Sequence, residues 1–248
     1  MSPQPKLAWK NVAVRFERQS VLEGLSLEAT EGRSLVIIGG SGEGKSVTLK
    51  TALGLIRPDK GSVEIDGRAV KPGHEADPGV SQIGMLFQSG ALFDSLPIWK
   101  NVAFRLLHHD HMANDEARVR ALEALELVDL DGEVADKRPN QLSGGMLKRA
   151  ALARAIAARP KILFFDEPTT GLDPVTADII NKLIVRQVKH LGATAVSITH
   201  DMVSMRAIAD DVAMIRDGKT LWRGPLEGVE TCDNPEVCRF VQGRSELD

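Results

Sequence analysis

The stretch Gly39-Gly40-Ser41-Gly42-Glu43-Gly44-Lys45-Ser46 constrains this chain more than any other. It fits G-x-x-x-x-G-K-[ST], a loop whose glycines let the backbone curl until successive N–H groups point inward at an anion. Its flanks are those such a loop requires. Leu35-Val36-Ile37-Ile38 reads as a buried strand, and Val47 to Leu53 as a helix ending near Gly54. The helix adds its positive N-terminal end to the same anion. Lys45 is placed to reach the β- and γ-phosphates of a nucleotide as a point charge, and the Ser46 hydroxyl to ligate Mg²⁺. A glycine-rich turn with a chance lysine lacks this strand–loop–helix frame.

Bulk properties exclude several classes. The 248 residues suffice for one large α/β domain or two small ones, and a net charge of −3 gives no bulk electrostatic reason for a nucleic-acid partner. No apolar run approaches the length of a membrane span, and Met1-Ser2-Pro3-Gln4-Pro5-Lys6 lacks the apolar core of a signal peptide, so the chain is expected not to be integral to a membrane. The two cysteines, Cys232 and Cys238, match no common zinc or redox spacing and are expected to be free thiols in a reducing cytoplasm.

Along the chain, Leu7 to Phe16 and Val21 to Glu28 read as two strands around the turn Glu17-Arg18-Gln19-Ser20. After the loop and its helix come a turn at Arg57 to Gly61 and an alternating strand, Ser62 to Ile65. Lys71 to Gly79 reads as a surface loop, and Ile83 to Phe87 as a strand ending at Gln88. From about Trp99 to Ala158 the pattern is helical, with Val119, Leu122, Leu125 and Val128 expected on one apolar face. Strand-like runs return at Ile162 to Phe165, Ala195 to Ile198 and Val212 to Ile215, alternating with helices at Val175 to Leu191 and Met202 to Ala209. Such alternation implies a mainly parallel sheet covered on both faces, with the N-terminal strands as an antiparallel side sheet.

Two further groups carry chemistry. Ile162-Leu163-Phe164-Phe165-Asp166-Glu167 is an apolar strand ending in two carboxylates, and an open parallel sheet binds ligands at that edge. Asp166 suits the Mg²⁺ shell and Glu167 suits a general base acting on water. Leu142-Ser143-Gly144-Gly145-Met146 opens a helix with Ser143 as its cap, a second anion-binding helix end.

Together these motifs resemble the nucleotide-binding subunits of ABC transporters, over about residues 7 to 224. The resemblance implies an α/β fold: a P-loop NTPase core with a mainly parallel sheet, an N-terminal antiparallel side sheet and an inserted helical subdomain. It implies a single domain with its core at about 5–90 and 158–225, helical subdomain at about 91–157 and a tail at about 226–248. It implies an ATPase that binds ATP and Mg²⁺. Gly39, Gly40, Ser41, Gly42, Glu43, Gly44, Lys45, Ser46 and Val47 would hold the phosphates. Gln88 would sense Mg²⁺ and water, and Asp166, Ser46 and Gln88 would serve the metal. Glu167, His200, Lys45 and Gln88 become the catalytic set, with Asp173 in the loop Thr170-Gly171-Leu172-Asp173. Two copies sandwich two ATPs in such proteins, so Ser143, Gly144 and Gly145 would contact the γ-phosphate held by the partner copy. The chain departs from the pattern twice. Phe16 stands where the family often stacks a tyrosine on adenine, and Met146 replaces the usual glutamine of the signature.

The run Phe87 to Leu96, continuing through Trp99, Asn101, Val102 and Phe104, is similar, with Met146, to the ATPases of Mce-associated lipid transporters. The tail, Asp233 to Val237 and Phe240 to Gly243, is similar to the same group. This implies a peripheral subunit on the cytoplasmic face of a bacterial inner membrane, moving phospholipid between inner and outer membranes. Its implied partners are a second copy of itself, a multi-pass permease, an Mce-domain protein and a small cytoplasmic accessory subunit, with no nucleic acid. Leu92, Phe93, Leu96 and Trp99 are expected either to line a groove for a permease helix or to pack the helical part. Pro235 to Gln242 is expected to be helical and to steady the dimer. The competing readings are an importer ATPase for a small polar solute and an ABC regulator without a membrane partner.

Overall fold

The computed structural model describes residues 5–17, 19–71, 73 and 77–243; Arg18 and much of the loop expected at 71–79 lie outside these. The elements run β1 (Pro5–Phe16), β2 (Gln19–Thr30), β3 (Ser34–Ile38), α1 (Lys45–Ala52), β4 (Lys60–Ile65), β5 (Arg68–Ala69), β6 (Ile83–Leu86), α2 (Ile98–Val102), α3 (Phe104–His108) and α4 (Asn114–Leu127). They continue α5 (Gly144–Ile156), β7 (Ile162–Asp166), α6 (Pro174–Leu191), β8 (Thr194–Ile198), α7 (Met202–Ile208), β9 (Asp211–Arg216), β10 (Lys219–Pro225) and α8 (Pro235–Gln242). Packing divides the chain into two compact units, residues 1–83 with 194–248, and residues 84–193.

In the first unit, β1 pairs antiparallel with β2 and β4, forming the expected side sheet. Burial alternates at Leu25, Leu27 and Ala29 of β2, the period-two signature of a sheet with one covered face, while β1 buries Lys6 to Trp9 without a break and shifts register between Trp9 and Val12. A second set of strands runs β10-β9-β3-β8. Here β3 is parallel to both neighbours, and Leu35 to Ile38 are wholly buried, as a strand covered on both faces requires. The antiparallel edge strand β10 is absent from the sequence reading, because Lys219-Thr220-Leu221-Trp222 is too polar to stand out from a loop. The Trp9 indole N–H donates to the Thr48 carbonyl at 3.0 Å and reaches Thr51 Oγ1 at 3.2 Å, tying β1 to α1.

The second unit holds the neighbouring strands β6 and β7 and helices α2 to α6. On α4 the buried face is Ala117, Ala121, Ala124 and Leu125, continued by Val128; Val119 is exposed, against expectation. Small side chains, easily overlooked as core, carry that face because they let helices approach closely. On α6 the buried stripe is Ile180, Leu183, Ile184, Gln187 and Val188, at helical spacing. Asp173 caps α6, Pro174 occupies its first position, and Gly192 closes it in the left-handed region at φ 59°. The Gln187 amide donates to the Leu127 carbonyl at 2.6 Å, fastening α6 to the end of α4.

Candidate functional site

The first unit builds an anion cradle. Between β3 and α1 the loop turns through Gly39, Gly42 and Gly44, all at positive φ (150°, 84° and 91°). Two of these positions are also spatially closed. A Cβ on Gly39 would strike the Ile215 carbonyl, and one on Gly44 would meet Leu22 Cδ2 at 2.7 Å and the Val21 carbonyl at 2.8 Å. Gly44 is the N-cap of α1 and offers no side chain to its N–H groups, and the first turn carries no acidic residue. Those donors and the helix dipole therefore face whatever anion enters. Lys45 is buried, and its ammonium donates to the carbonyls of Gly39 at 2.8 Å and Gly40 at 2.6 Å. Ser41, Gly42 and Ser46 are exposed, while Glu43 and Val47 are half-buried. The Glu43 carboxylate accepts the Asp217 N–H at 2.5 Å, fixing the loop to the β9–β10 turn.

Two other expected residues lie in the same unit. The Thr199 N–H donates to the Ile37 carbonyl at 3.3 Å, which brings the exposed His200 level with the end of β3, where the loop begins. Asp201 caps α7 by accepting from the N–H groups of Val203 and Ser204 and the Ser204 hydroxyl. Burial pushes the Asp201 carboxyl up, but those hydrogen bonds and the neighbouring His200 outweigh it and hold the group below the usual carboxylate range. Phe16 pairs with Gln19 on the hairpin whose Val21–Leu22 stretch touches Gly44, and its ring is 46% exposed, open for stacking.

The second unit gathers the remaining residues. In β7, Ile162 to Phe165 are fully buried and deliver Asp166 and Glu167, both half-buried, at the C-terminal edge. Glu167 takes φ 50°, a left-handed conformation that costs an ordinary side chain roughly 1–2 kcal/mol. The turn sustains it: the Thr170 N–H donates to the Glu167 carbonyl at 3.3 Å and the Thr170 hydroxyl to Glu167 Oε2 at 2.6 Å. Ser143 caps α5, accepting the Met146 N–H at 3.4 Å, and Ser143 and Gly144 are exposed. Gly145 is needed for space, since its Cβ would meet Thr176 Cγ2 at 2.8 Å. The Asp173 carboxylate accepts from the N–H groups of Val175 and Thr176 and the Thr176 hydroxyl; those bonds, the hydroxyl first, hold it below its ordinary range. The signature turn and the Asp173 cap therefore share one contact, through Thr176.

Three side chains whose structural role the sequence does not reveal hold the segment after Gln88. Lys148 is buried on α5 and donates to the Gln88 carbonyl. Burial pushes its ammonium down, opposed by the charges of Asp166 and Glu167. Arg154 donates to the carbonyls of Ala91 at 2.6 Å and Gly90 at 2.8 Å, and Asn101, wholly buried, binds both the N–H and the carbonyl of Phe93. Each lies in a helix at ordinary helical spacing, so only polarity on an otherwise apolar stripe marked it. The Gln88 side chain is exposed. Of the four residues expected to line a groove, Phe93 is exposed and Leu92 and Leu96 half-buried, but Trp99 is packed away, with Arg118 and Lys100 over its ring.

Comparisons with known proteins fit this geometry. The profile of the ABC transporter family matches residues 22–170. The chain is 36% identical to the intermembrane phospholipid transport system ATP-binding protein MlaF of Haemophilus influenzae, over 96% of this chain and 90% of that one. It is 38% identical to a probable ribonucleotide transport ATP-binding protein, mkl, of Mycobacterium leprae, over 95% of this chain and 68% of that longer one. Among solved structures, the dimeric bacterial ABC transporter cassette MJ0796 superposes with a TM-score of 0.78 at 32% identity, covering 89% of this chain and 98% of the other. The cbiO1 subunit from Clostridium perfringens superposes at 0.82 and 29% identity, covering 97% and 95%.

Proposed function

The chain belongs to the ABC transporter family as an ATP-hydrolysing subunit, and from that premise we propose that it energises phospholipid transport between two membranes through a separate multi-pass permease. The observation that carries this reading is the likeness to a phospholipid transport ATPase along nearly the whole of both chains. The run from Phe87 to Phe104 and the Met146 signature support it.

The residues work as follows. ATP phosphates enter the cradle of Gly39 to Ser46, drawing the Lys45 ammonium from the loop carbonyls to the β- and γ-phosphates. The Phe16 ring stacks on adenine. The Ser46 hydroxyl, the Asp166 carboxylate and the Gln88 amide oxygen are the hard oxygen donors Mg²⁺ prefers, and they would hold it. When bound, Mg²⁺ neutralises charge on the β- and γ-phosphates. Glu167, oriented by the Thr170 hydroxyl, takes a proton from the attacking water, and His200 hydrogen-bonds the γ-phosphate. Ser143, Gly144 and Gly145 of a second copy close over that phosphate, with Asp173 shaping the turn beside them. A homodimer follows from this division of labour.

The chain forms a single ABC ATPase domain with its core at about 5–90 and 158–225, the helical subdomain at about 91–157 and the tail at about 226–248. Phe93 and Leu96 receive a cytoplasmic helix of the permease. The complex includes an Mce-domain protein and a small accessory subunit, and the ATPase sits peripherally on the cytoplasmic face of an inner membrane. No helix among the described residues is long and apolar enough to cross a membrane.

The name of the mycobacterial relative favours a second reading, an ATPase for import of a small polar solute. Tagging the protein in its host, extracting in mild detergent and identifying what co-purifies separates them. A multi-pass permease with an Mce-domain protein and bound phospholipid is the expected result. A permease with a periplasmic solute-binding protein establishes the importer instead.

A further inference from the structure

The chain has two cysteines, and the fold places them side by side. The Sγ atoms of Cys232 and Cys238 are 3.6 Å apart, and both thiols are free. This proximity is built. Asn234 caps α8 by accepting the N–H groups of Glu236 at 3.0 Å and Val237 at 3.3 Å, and Pro235 fixes the first helical position. Buried Val237 and Val241 hold the helix down. The preceding loop thus folds back over the first turn, and Cys238 Sγ lies 3.0 Å from the Cys232 carbonyl. Cys232 also lines an open hollow of about 730 Å³ with Trp222, Thr231 and Asp233, which gives a small oxidant access to its sulfur.

The neighbourhood of α8 leads to the phosphate loop. Glu236, in the first turn, lies 3.0 Å from the Arg216 guanidinium, an ion pair whose angles are not those of a hydrogen bond. Arg216 also lies 3.8 Å from Glu43 and 3.9 Å from Asp217. Glu43 is the phosphate-loop residue that accepts the Asp217 N–H. A short electrostatic path therefore runs from α8 through Arg216 to the loop.

We propose that Cys232 and Cys238 are an oxidisable pair whose disulfide staples α8 to the loop before it, and that Arg216 passes the resulting shift of Glu236 to the phosphate loop. The oxidant class is a hydroperoxide. The Cys232 thiolate attacks the peroxide oxygen, the O–O bond breaks, and Cys232 becomes a sulfenic acid as water or an alcohol leaves. Cys238 then attacks the Cys232 sulfur; the S–S bond forms, the S–O bond breaks, and hydroxide leaves with the Cys238 proton as water. Two thiols supply the two electrons that reduce the peroxide. The hydrogen bond to Cys232, before burial and nearby charge, raises the Cys238 thiol above its ordinary value, so Cys238 stays protonated while Cys232 meets the peroxide and gives up its proton only in the resolving step. A disulfide needs its sulfurs about 2.05 Å apart, so closure moves them roughly 1.5 Å, enough to displace the turn that carries Glu236.

The test uses the reduced full chain titrated with hydrogen peroxide. Both thiols are expected to disappear together, with loss of two hydrogens in mass, a 232–238 linkage on peptide mapping and recovery with dithiothreitol. Persistence of one thiol, sulfinic adducts on a single cysteine, or cross-linked dimers would overturn the pair. In C238S the Cys232 sulfenic acid is expected to be trapped by dimedone; failure to trap it overturns the assigned order of attack. Hydrogen exchange reads the consequence without relying on any activity. Oxidation is expected to slow exchange severalfold in residues 235–242 and to alter it in residues 39–46. Glu236→Gln is expected to abolish the second change while the disulfide still forms. Unchanged exchange at 39–46 in the oxidised wild type would remove the relay.

Discussion

The phosphate loop and the segment after Gln88 are held in shape by opposite means. The first is made of backbone: three glycines at positive φ, carbonyls of neighbouring strands pressed against two of them, and a lysine resting on the loop's own carbonyls. The second is held by long polar side chains, Lys148, Arg154 and Asn101, reaching from helices to loop carbonyls. A backbone cradle presents N–H groups in fixed positions and is ready for an anion before one arrives. A loop hung on side chains stays fixed only while each contact survives, and it carries desolvated cations: burial holds both Lys148 and Arg154 below their ordinary values. The first design suits a site that must not move, and the second a segment that responds.

The largest expected effects come from Lys45, proposed to bind the β- and γ-phosphates, and Glu167, proposed to activate the attacking water. Lys45→Ala and Glu167→Gln are each expected to lower ATP turnover by roughly 10²–10⁴-fold. They divide on binding: Lys45→Ala weakens nucleotide affinity, whereas Glu167→Gln keeps it, as fluorescent-nucleotide titration would register. Near-normal turnover in Glu167→Gln would unseat it as the base.

Next comes Gly145→Ala, whose new methyl meets Thr176 Cγ2 at 2.8 Å. Displacing the signature turn is expected to cost about 10–100-fold in turnover. Thr176→Ser removes the offending methyl and keeps the hydroxyl that binds Asp173, so the double variant should recover most of the loss. If it does not, Gly145 serves the nucleotide through its bare backbone rather than through fit against α6.

The same contrast governs what was legible in the sequence. A backbone cradle requires glycine at fixed intervals, so Gly39 to Ser46 announced both the loop and the strand and helix around it. Buried strands such as β3, β7 and β8 showed as short apolar runs. The edge strand β10 did not, because none of its residues is buried and polar ones are mixed through it. The α4 face was misread because Ala117, Ala121 and Ala124 carry it while the larger Val119 points outward. The loop-holding roles of Lys148, Arg154 and Asn101 were hidden for a related reason: a polar residue at helical spacing looks solvated until the fold shows which carbonyl it reaches. The thiol pair depended on the same kind of information, since six residues of chain say nothing until Asn234 folds the loop back.

Asn101→Ala tests the side-chain-held segment by stability. Its amide serves the Phe93 N–H and the carbonyls of Phe93, Leu96 and Pro97 from a wholly buried position. Removing it strands several backbone groups, and a loss of about 1–3 kcal/mol is expected in urea unfolding. A loss confined to permease binding, with unfolding unchanged, would mean that the segment is not held by this amide in the isolated chain.

The smallest effect compares two helix caps, Asp201 of α7 and Asp173 of α6, each with its carboxyl held below the ordinary 3.8. For a depressed carboxyl the unfolded chain takes up a proton first as the pH falls. The stabilisation is therefore complete above 3.8 and drains away as the pH drops through the lower folded value. Asparagine caps a helix about as well as aspartate but does not titrate here. Asp201→Asn should thus leave neutral-pH stability within about 1 kcal/mol and flatten the decline in the acid range. Asp173→Asn should flatten it less, because Asp173 is fully exposed and water screens its interactions. Urea unfolding followed from neutrality down into the acid range ranks the two. A greater flattening in Asp173→Asn would mean that the signature-side turn, and not the α7 turn beside His200, is the electrostatically tighter of the pair.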